Sequence, residues 1–125
     1  MKSIAFLLFF VLVTSFAATA QSNPIEEAKQ RANQLTELLD QKLKLSSDQL
    51  AKVTELNLGV AIKNINVIHS TDQSYDFKVA AINGNNQGRR DYMKLFLKAE
   101  QFVIYESLEA DLTAADLIEG IEDIK

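Results

Sequence analysis

Apolar residues recur every three or four positions along most of the chain from residue 24 onward, which is the period of an amphipathic α-helix. Asn23 is a favoured N-cap residue, and Pro24 suits the first helical position because its missing N–H is not needed there. The first stretch runs to about Lys44, with apolar residues at Ile25, Ala28, Ala32, Leu35, Leu38, Leu39 and Leu43. The spacing therefore predicts an all-α protein, an elongated bundle of about four helices.

The segment from Leu45 to Gln49 predicts a corner between two helices. Ser46 as N-cap with Gln49 three residues later is a capping box, in which each side chain accepts a hydrogen bond from an orphan backbone N–H. The helix that follows extends from about Ser47 to His69 and is apolar on two sides. Since so short a chain has little other apolar surface to cover both sides, we expect a homodimer whose contact includes Leu58, Ile62 and Ile65.

The stretch from Asn83 to Gly88 contains three Asn and two Gly, a composition that favours a turn. We therefore expect a third helix that begins near Gln73, bends or breaks in this stretch and resumes at Arg89. A short last helix is expected with Thr113 as its cap. The chain is thus divided into a signal peptide (1–20), a helical domain (21–110) and an acidic C-terminal helix or tail (111–125).

Residues 1–20 have the organisation of a secretory signal peptide. Lys2 supplies the positive charge, residues 4–13 are all apolar, and Ala18-Thr19-Ala20 matches the small-x-small cleavage pattern. The apolar run is too short for a membrane span, which needs about 20 apolar residues. The sequence therefore predicts export, with the periplasm as the expected destination, a mature chain that begins at Gln21 and no membrane anchor after cleavage.

Composition argues against several classes of function. The chain has no Cys and its one His is His69, so it cannot form thiolate metal sites, cysteine nucleophiles or His-rich centres. A net charge of −4 gives no electrostatic basis for binding nucleic acid. The sequence has no Gly-rich phosphate loop, nucleophile elbow or zinc-binding motif, so we expect no enzymatic activity, metal or cofactor. His69 is expected to end the second helix rather than to bind a metal ion.

Two segments match, fully or in part, the pattern Leu-Ser/Thr-x-x-Gln: Leu45 to Gln49 and Leu97 to Gln101. In these positions the chain resembles the LTxxQ family of small exported helical proteins, the Spy/CpxP-like periplasmic proteins. The resemblance implies an all-helical fold of two hairpins, an antiparallel homodimer with a concave cradle, and binding of unfolding client proteins. In the second copy Lys98 replaces the capping Ser or Thr. The helix there either restarts without a side-chain cap or continues with Gln101 exposed.

A basic and aromatic segment follows the Asn-rich stretch and is the candidate surface for clients or other partners. Its residues are Arg89, Arg90, Tyr92, Lys94, Phe96 and Phe102. Aromatic residues at helical spacing usually belong to a core, and an exposed apolar patch edged by basic residues is the functional alternative. The preferred function is that of an exported helical binding protein, an ATP-independent chaperone or envelope-stress protein as the resemblance implies. The alternatives are a structural or accessory envelope protein without client binding, and a protein related to metal stress.

Overall fold

The structure, a computed structural model, describes residues 23–124. Four consecutive α-helices make up most of this part of the chain. They are α1 (Pro24–Leu43), α2 (Ser47–Ile68), α3 (Tyr75–Phe96) and α4 (Ala99–Ala114), followed by a 3₁₀ turn at Ile121–Asp123. The predicted all-α fold is confirmed for these residues, and the predicted signal peptide lies outside them. None of the described helices is both long and apolar enough to cross a membrane.

Asn23 caps α1 as predicted. Its Oδ1 accepts a hydrogen bond from the Ile25 N–H at 3.0 Å, and Pro24 is the first helical residue. The helix ends where Lys44 adopts a left-handed φ of 53° and donates its backbone N–H to the Asp40 carbonyl. Both ends of α1 are therefore determined by local hydrogen bonds.

The predicted capping box at the start of α2 is present. Ser46 Oγ accepts a hydrogen bond from the Gln49 N–H at 3.2 Å, and the Ser46 N–H donates to Gln49 Oε1 at 3.0 Å. The corner folds α2 back against α1, and α3 packs against α2 as well. The last helix, α4, contacts α1 and α3. The order of packing is therefore α1 against α2 against α3, with α4 bridging the outer two.

Two groups of buried apolar side chains form the core. The larger group draws on all four helices and on the C-terminal segment, and consists of Leu35, Leu39, Leu43, Val53, Met93, Leu97, Tyr105, Leu112 and Ile118. The smaller group draws on α1, α2 and α3 alone, and consists of Ala28, Ala32, Ala61, Ile65, Ile68 and Ile82. Large side chains thus fill the part of the bundle that includes α4, whereas alanines contribute half of the smaller group.

The apolar sides of α2 are covered within a single chain, which corrects the argument for a dimer at this helix. Ile65 is 1% exposed and lies in the smaller core group. Leu58 and Ile62 are half-buried and pack against the same group. Because α1 and α3 both pack against α2, they supply the apolar surface that so short a chain was expected to lack.

The third helix is continuous through residues 83–88, so the predicted bend or break is wrong. Each Gly in a helix interior costs about 1 kcal/mol relative to Ala, and this cost is offset by tertiary contacts. Asn85 Nδ2 donates to Asn64 Oδ1 on α2 at 2.9 Å, and Asn64 Nδ2 donates to Asn86 Oδ1 at 3.0 Å. The asparagine side chains thus bond across to the neighbouring helix rather than to a turn.

A second corner separates α3 from α4 at Leu97 and Lys98. The helix therefore restarts at the second motif copy, and the alternative of a continuous helix with Gln101 exposed is wrong. Gln101 is buried, and its Oε1 accepts a hydrogen bond from the Lys98 N–H at 2.9 Å. The Lys98 side chain makes no capping hydrogen bond, because an ammonium group offers no acceptor.

The last α-helix runs through Thr113 to Ala114, so the separate terminal helix expected there does not form. The Thr113 hydroxyl donates to the Glu109 carbonyl at 3.0 Å and does not cap a helix. The chain then turns at Asp116, where φ is 58°, and returns along the bundle. Ile118 is buried in the larger core group and Ile124 packs against the smaller one. The acidic C-terminal segment is therefore packed onto the same core as the four helices.

Candidate binding surface

The predicted basic and aromatic segment is divided between two grooves on either side of α3. Tyr92 and Phe96 line a groove of about 530 Å³ between α2 and α3, which we call the Tyr92 groove. Arg90, Lys94 and Phe102 line a groove of about 670 Å³ between α3 and α4, which we call the Arg90 groove. The structure therefore does not bring these five residues into one site.

The Tyr92 groove combines aromatic surface with positive charge. The Tyr92 side chain is 53% exposed and stacks with Phe96, their ring centroids 6.0 Å apart. Lys52 Nζ lies 5.6 Å from the centre of the Phe96 ring, a cation–π contact. Lys63 also lines the groove, together with the carboxylate of Glu55. This arrangement can hold an apolar group and attract a negative charge beside it.

The Arg90 groove is a weaker candidate because its arginine is already paired. Arg90 forms a salt bridge with Glu106 and a second one with Glu109, in which Nε and Oε1 are 3.4 Å apart. The hydrogen bond to Glu106 and the charge of Glu109 raise the pKa of Arg90. Lys94 is exposed and is the other cation of this groove.

The aromatic residues divide between core and surface, so each of the two interpretations holds for part of the set. Tyr105 is buried in the larger core group, and desolvation raises its pKa to about 12. Phe102 is half-buried and stacks on Tyr105, with ring centroids 6.1 Å apart. Phe96 is half-buried, whereas Tyr92 is exposed. Tyr92 is therefore the aromatic residue of this segment that is most accessible to a ligand.

Arg89 does not lie on the surface, which corrects its assignment to the candidate binding set. Its side chain is 1% exposed, and its Nη1 donates to Asn86 Oδ1 at 3.2 Å. Its Nη2 lies 3.9 Å from Glu119 Oε2. Desolvation lowers the pKa of Arg89, and the charge of Glu119 opposes that shift. The guanidinium can be buried because the C-terminal segment brings a carboxylate to it.

The same guanidinium belongs to a buried polar cluster that sequence reasoning missed. Asn64 Nδ2 donates to Glu119 Oε2 at 2.9 Å, and Asn86 Nδ2 donates to the Glu119 carbonyl at 2.7 Å. Arg31 Nη1 lies 3.9 Å from Glu119 Oε1, and Arg31 Nη2 lies 3.4 Å from Asp123 Oδ1. The cluster attaches the C-terminal segment to α1, α2 and α3. The asparagines of residues 83–86 are its signal in the sequence, but such a composition more often marks a turn.

The two motif copies meet through their glutamines. Gln49 Nε2 donates to Gln101 Oε1 at 2.7 Å, and Gln101 Nε2 donates to Gln49 Oε1 at 3.2 Å. Gln49 also donates to the carbonyl of Phe96, the last residue of α3, at 3.1 Å. Gln101 donates to the carbonyl of Leu43, the last residue of α1, at 3.0 Å. The pair therefore joins the two corners, a role that the repeated motif indicates only in retrospect.

The remaining motif residues support this joint. Leu97 is buried in the larger core group, and Leu45 packs against the same group. Ser46 caps α2 through the capping box described above. Since Leu45, Ser46, Gln49, Leu97 and Gln101 each pack against the core or form a hydrogen bond with the protein itself, the motif is a structural element of the fold.

Acidic side chains and His69 are the residue types of this chain that could bind a metal ion. In residues 23–124 no group of three or more His, Cys, Asp or Glu side chains is arranged to hold a metal ion. His69 is the C-cap residue of α2, and its backbone N–H donates to the Ile65 carbonyl at 3.0 Å.

No family model, curated protein or solved structure matches the chain. What the protein does is therefore inferred from its own residues and from the resemblance at the two motif copies.

Proposed function

We propose that the protein is exported to the periplasm and binds exposed apolar segments of unfolding client proteins without using ATP. The observation that carries this proposal is the Tyr92 groove, in which an exposed aromatic side chain lies near the positive charges of Lys52 and Lys63. Apolar surface that stays exposed in a folded protein often marks a site of interaction. The resemblance at the two motif copies supports the same kind of function, and the pattern of residues 1–20 supports export.

Exposed apolar side chains also lie outside the Tyr92 groove, on α3 and α4, where they are open to a client segment or to a second copy of the chain. Leu95 is 75% exposed, Val103 is 64% exposed, and Ile104 is also exposed. Covering such side chains with a client segment stabilises the complex by about 25 cal/mol for each Å² of apolar surface removed from water. Binding of this kind requires no fixed client sequence, which suits a protein that protects many unfolding chains.

A homodimer is part of the proposal, with its contact placed away from α2. Leu58, Ile62 and Ile65 pack within their own chain, so exposed Leu95 and Val103 are better candidates for the contact. Light scattering across a concentration series tests this assembly. A protein that is monomeric at about 50 μM would contradict a biologically useful dimer.

Suppression of the aggregation of an unrelated unfolding protein tests the proposed function. The mature wild-type protein should slow aggregation, and Tyr92→Ser should weaken this effect because it removes the exposed aromatic ring from the groove. The matched control is Tyr75→Ser, since Tyr75 is 56% exposed, also lies on α3, and lines neither groove. We expect the control variant to suppress aggregation as wild type does.

The outcomes of this assay separate the alternatives. No suppression by the wild-type protein at any salt concentration would favour a structural or accessory envelope protein. Equal loss of suppression in Tyr92→Ser and Tyr75→Ser would mean that clients bind to exposed apolar surface in general, and would reject the groove as the site.

A further inference from the structure

Glycines form a large part of the Tyr92 groove. Gly59 on α2 and Gly84 and Gly88 on α3 line it, and these are three of the four glycines in the chain. Glycine lowers helix stability relative to alanine. A Cβ atom added at any of the three positions would meet nothing within 4 Å among residues 23–124, and none of these glycines has a positive φ. The packing and backbone of this chain therefore give no reason for glycine here.

The space next to the glycines is edged by cations at both ends. Lys52 and Lys63 lie three helical turns apart on α2, a separation of about 16 Å along the helix axis. Lys52 contacts the Phe96 ring, and within residues 23–124 neither lysine forms a salt bridge. Glu55 lies between them on the same helix. Both ends of the groove therefore attract negatively charged groups of a ligand, whereas the Glu55 carboxylate between them repels such groups.

The walls of the groove favour a helical ligand over an extended one. Both walls are α-helices, and their interior N–H and C=O groups bond within α2 and α3 and cannot pair with an incoming strand. A bound helix satisfies its own backbone groups and can therefore be buried without leaving them unpaired. The absence of a Cβ at three positions lets the axis of such a helix approach α2 and α3 closely.

We propose that the Tyr92 groove binds an amphipathic α-helix of a partner protein, small and apolar on the face that meets the glycines and acidic near both ends. Its acidic side chains pair with Lys52 and Lys63, and its apolar side chains contact Tyr92 and Phe96. This inference rests on the proposed function and deepens it, because it specifies the conformation and the charge of the bound segment.

Three fluorescent peptides test the charge and the conformation. The first is a helix-forming peptide of about 16 residues, rich in Ala and Leu, with Glu near each end at the spacing of Lys52 and Lys63. The second has Lys in place of each Glu, and the third has a central Pro, which breaks the helix. At low salt, the mature wild-type protein should bind the first peptide at least about tenfold more tightly than either of the others, as measured by fluorescence anisotropy.

The combined variant Gly59→Ala, Gly84→Ala and Gly88→Ala separates binding from folding. Its melting temperature should rise by about 5 °C or more, because alanine favours the helix and its methyl group meets no atom of the described residues. The same methyl groups should weaken binding of the acidic helical peptide by about tenfold. Asn83→Ala is the matched control, since Asn83 is exposed on α3 beside Gly84 but does not line the groove. It should leave peptide binding unchanged.

Equal affinity for the helical and the Pro-containing peptide, or unchanged binding by the alanine variant, would overturn the proposal. If the wild-type protein binds no peptide but self-associates, and the alanine variant is monomeric, a second copy covers the groove and the partner helix is wrong. Aggregation suppression without a preference for the acidic helix would retain the proposed function and reject this inference. A preference for the acidic helix without aggregation suppression would reject the proposed function alone.

Discussion

Two polar contacts between elements of this bundle, the Gln49–Gln101 pair and the cluster around Arg89 and Glu119, differ in how completely their atoms are paired. In the Gln49–Gln101 pair, each amide nitrogen donates to two oxygens and each amide oxygen accepts two hydrogen bonds. In the cluster around Arg89 and Glu119, by contrast, Arg89 Nε and Glu119 Oε1 have no hydrogen-bond partner among the described residues. Neutral amides that are fully paired are buried at little cost, whereas charges carry a larger desolvation penalty.

The two contacts also serve different parts of the fold. The amide pair joins the corners before α2 and α4, so it fixes how the two halves of the bundle meet. The charged cluster holds the C-terminal segment through Glu119 and Asp123. We infer that the amide pair sets the geometry of the helices, while the charges, together with the apolar contacts of Ile118 and Ile124, position the C-terminal segment.

The largest effect is expected from removal of the buried carboxylate. Glu119→Leu leaves the Arg89 guanidinium buried without its counter-charge, and should lower the free energy of unfolding by about 4 kcal/mol. Urea denaturation followed by circular dichroism measures this loss. Such a result would sharpen the contrast with the neutral pair, because it would show that the charges depend on each other.

The double variant Arg89→Met with Glu119→Leu is the control for this prediction. It removes both charges, so its free energy of unfolding should return to within about 1 kcal/mol of wild type. If the double variant is as unstable as Glu119→Leu alone, the loss arises from packing or from the contacts of Glu119 with Asn64 and Arg31, and the proposed dependence of the Arg89 and Glu119 charges on each other is wrong.

A smaller effect is expected at the amide pair. Gln101→Ala leaves the Leu43 carbonyl and the Lys98 N–H without their partner, and should lower the free energy of unfolding by about 2 kcal/mol. Gln34→Ala is the matched control, because Gln34 is exposed on α1 and its replacement should change stability by less than about 0.5 kcal/mol.

A double-mutant cycle tests whether the two glutamines act as one joint. Gln49→Ala and Gln101→Ala together should cost less than the sum of the single losses, by about 1 kcal/mol. Additive losses would show that each glutamine serves only its own corner. The two motif copies would then be independent.

The structure shows which parts of the fold the sequence predicts and which it does not. The caps at Asn23 and Ser46 were predictable because cap, helix and turn lie within a few residues of one another. The continuity of α3 was not, because the asparagines that interrupt its pattern bond to Asn64 on another helix. Here hydrogen bonds between distant parts of the chain outweigh the local preference of Asn and Gly for a turn.

The candidate binding surface shows the same contrast between features that the sequence predicts and features that it does not. Tyr92 is exposed, as in the alternative interpretation of the aromatic residues, whereas Arg89 is buried because Glu119 reaches it from the C-terminal segment. Likewise, Gln101 is buried because it pairs with Gln49, the matching residue of the other motif copy. Each of the two side-chain amides donates a hydrogen bond to the oxygen of the other. Spacing along one helix identifies a set of residues, but contacts from elsewhere decide which of them face solvent.

The next smaller loss of stability is expected at the helix cap of the first corner. Ser46→Ala removes the acceptor for the Gln49 N–H and should lower the free energy of unfolding by about 1 kcal/mol. Lys98→Ala should change it by less than about 0.5 kcal/mol, since the Lys98 side chain makes no capping hydrogen bond. Thermal and urea unfolding of the two variants measure the difference. Equal losses would mean that Ser46 contributes nothing as a cap.

The smallest effect is a gain, and it is expected at the second corner. The Lys98 backbone, with φ −68° and ψ 159°, nearly repeats that of Ser46, with φ −69° and ψ 167°. A serine at position 98 therefore already has the backbone conformation that places its hydroxyl near the Gln101 N–H. Lys98→Ser should raise the free energy of unfolding by about 0.5 kcal/mol relative to Lys98→Ala, the variant that removes the ammonium without adding an acceptor. If Lys98→Ser is no more stable than Lys98→Ala, the two corners differ in more than the capping side chain, and the amide pair joins unequal halves.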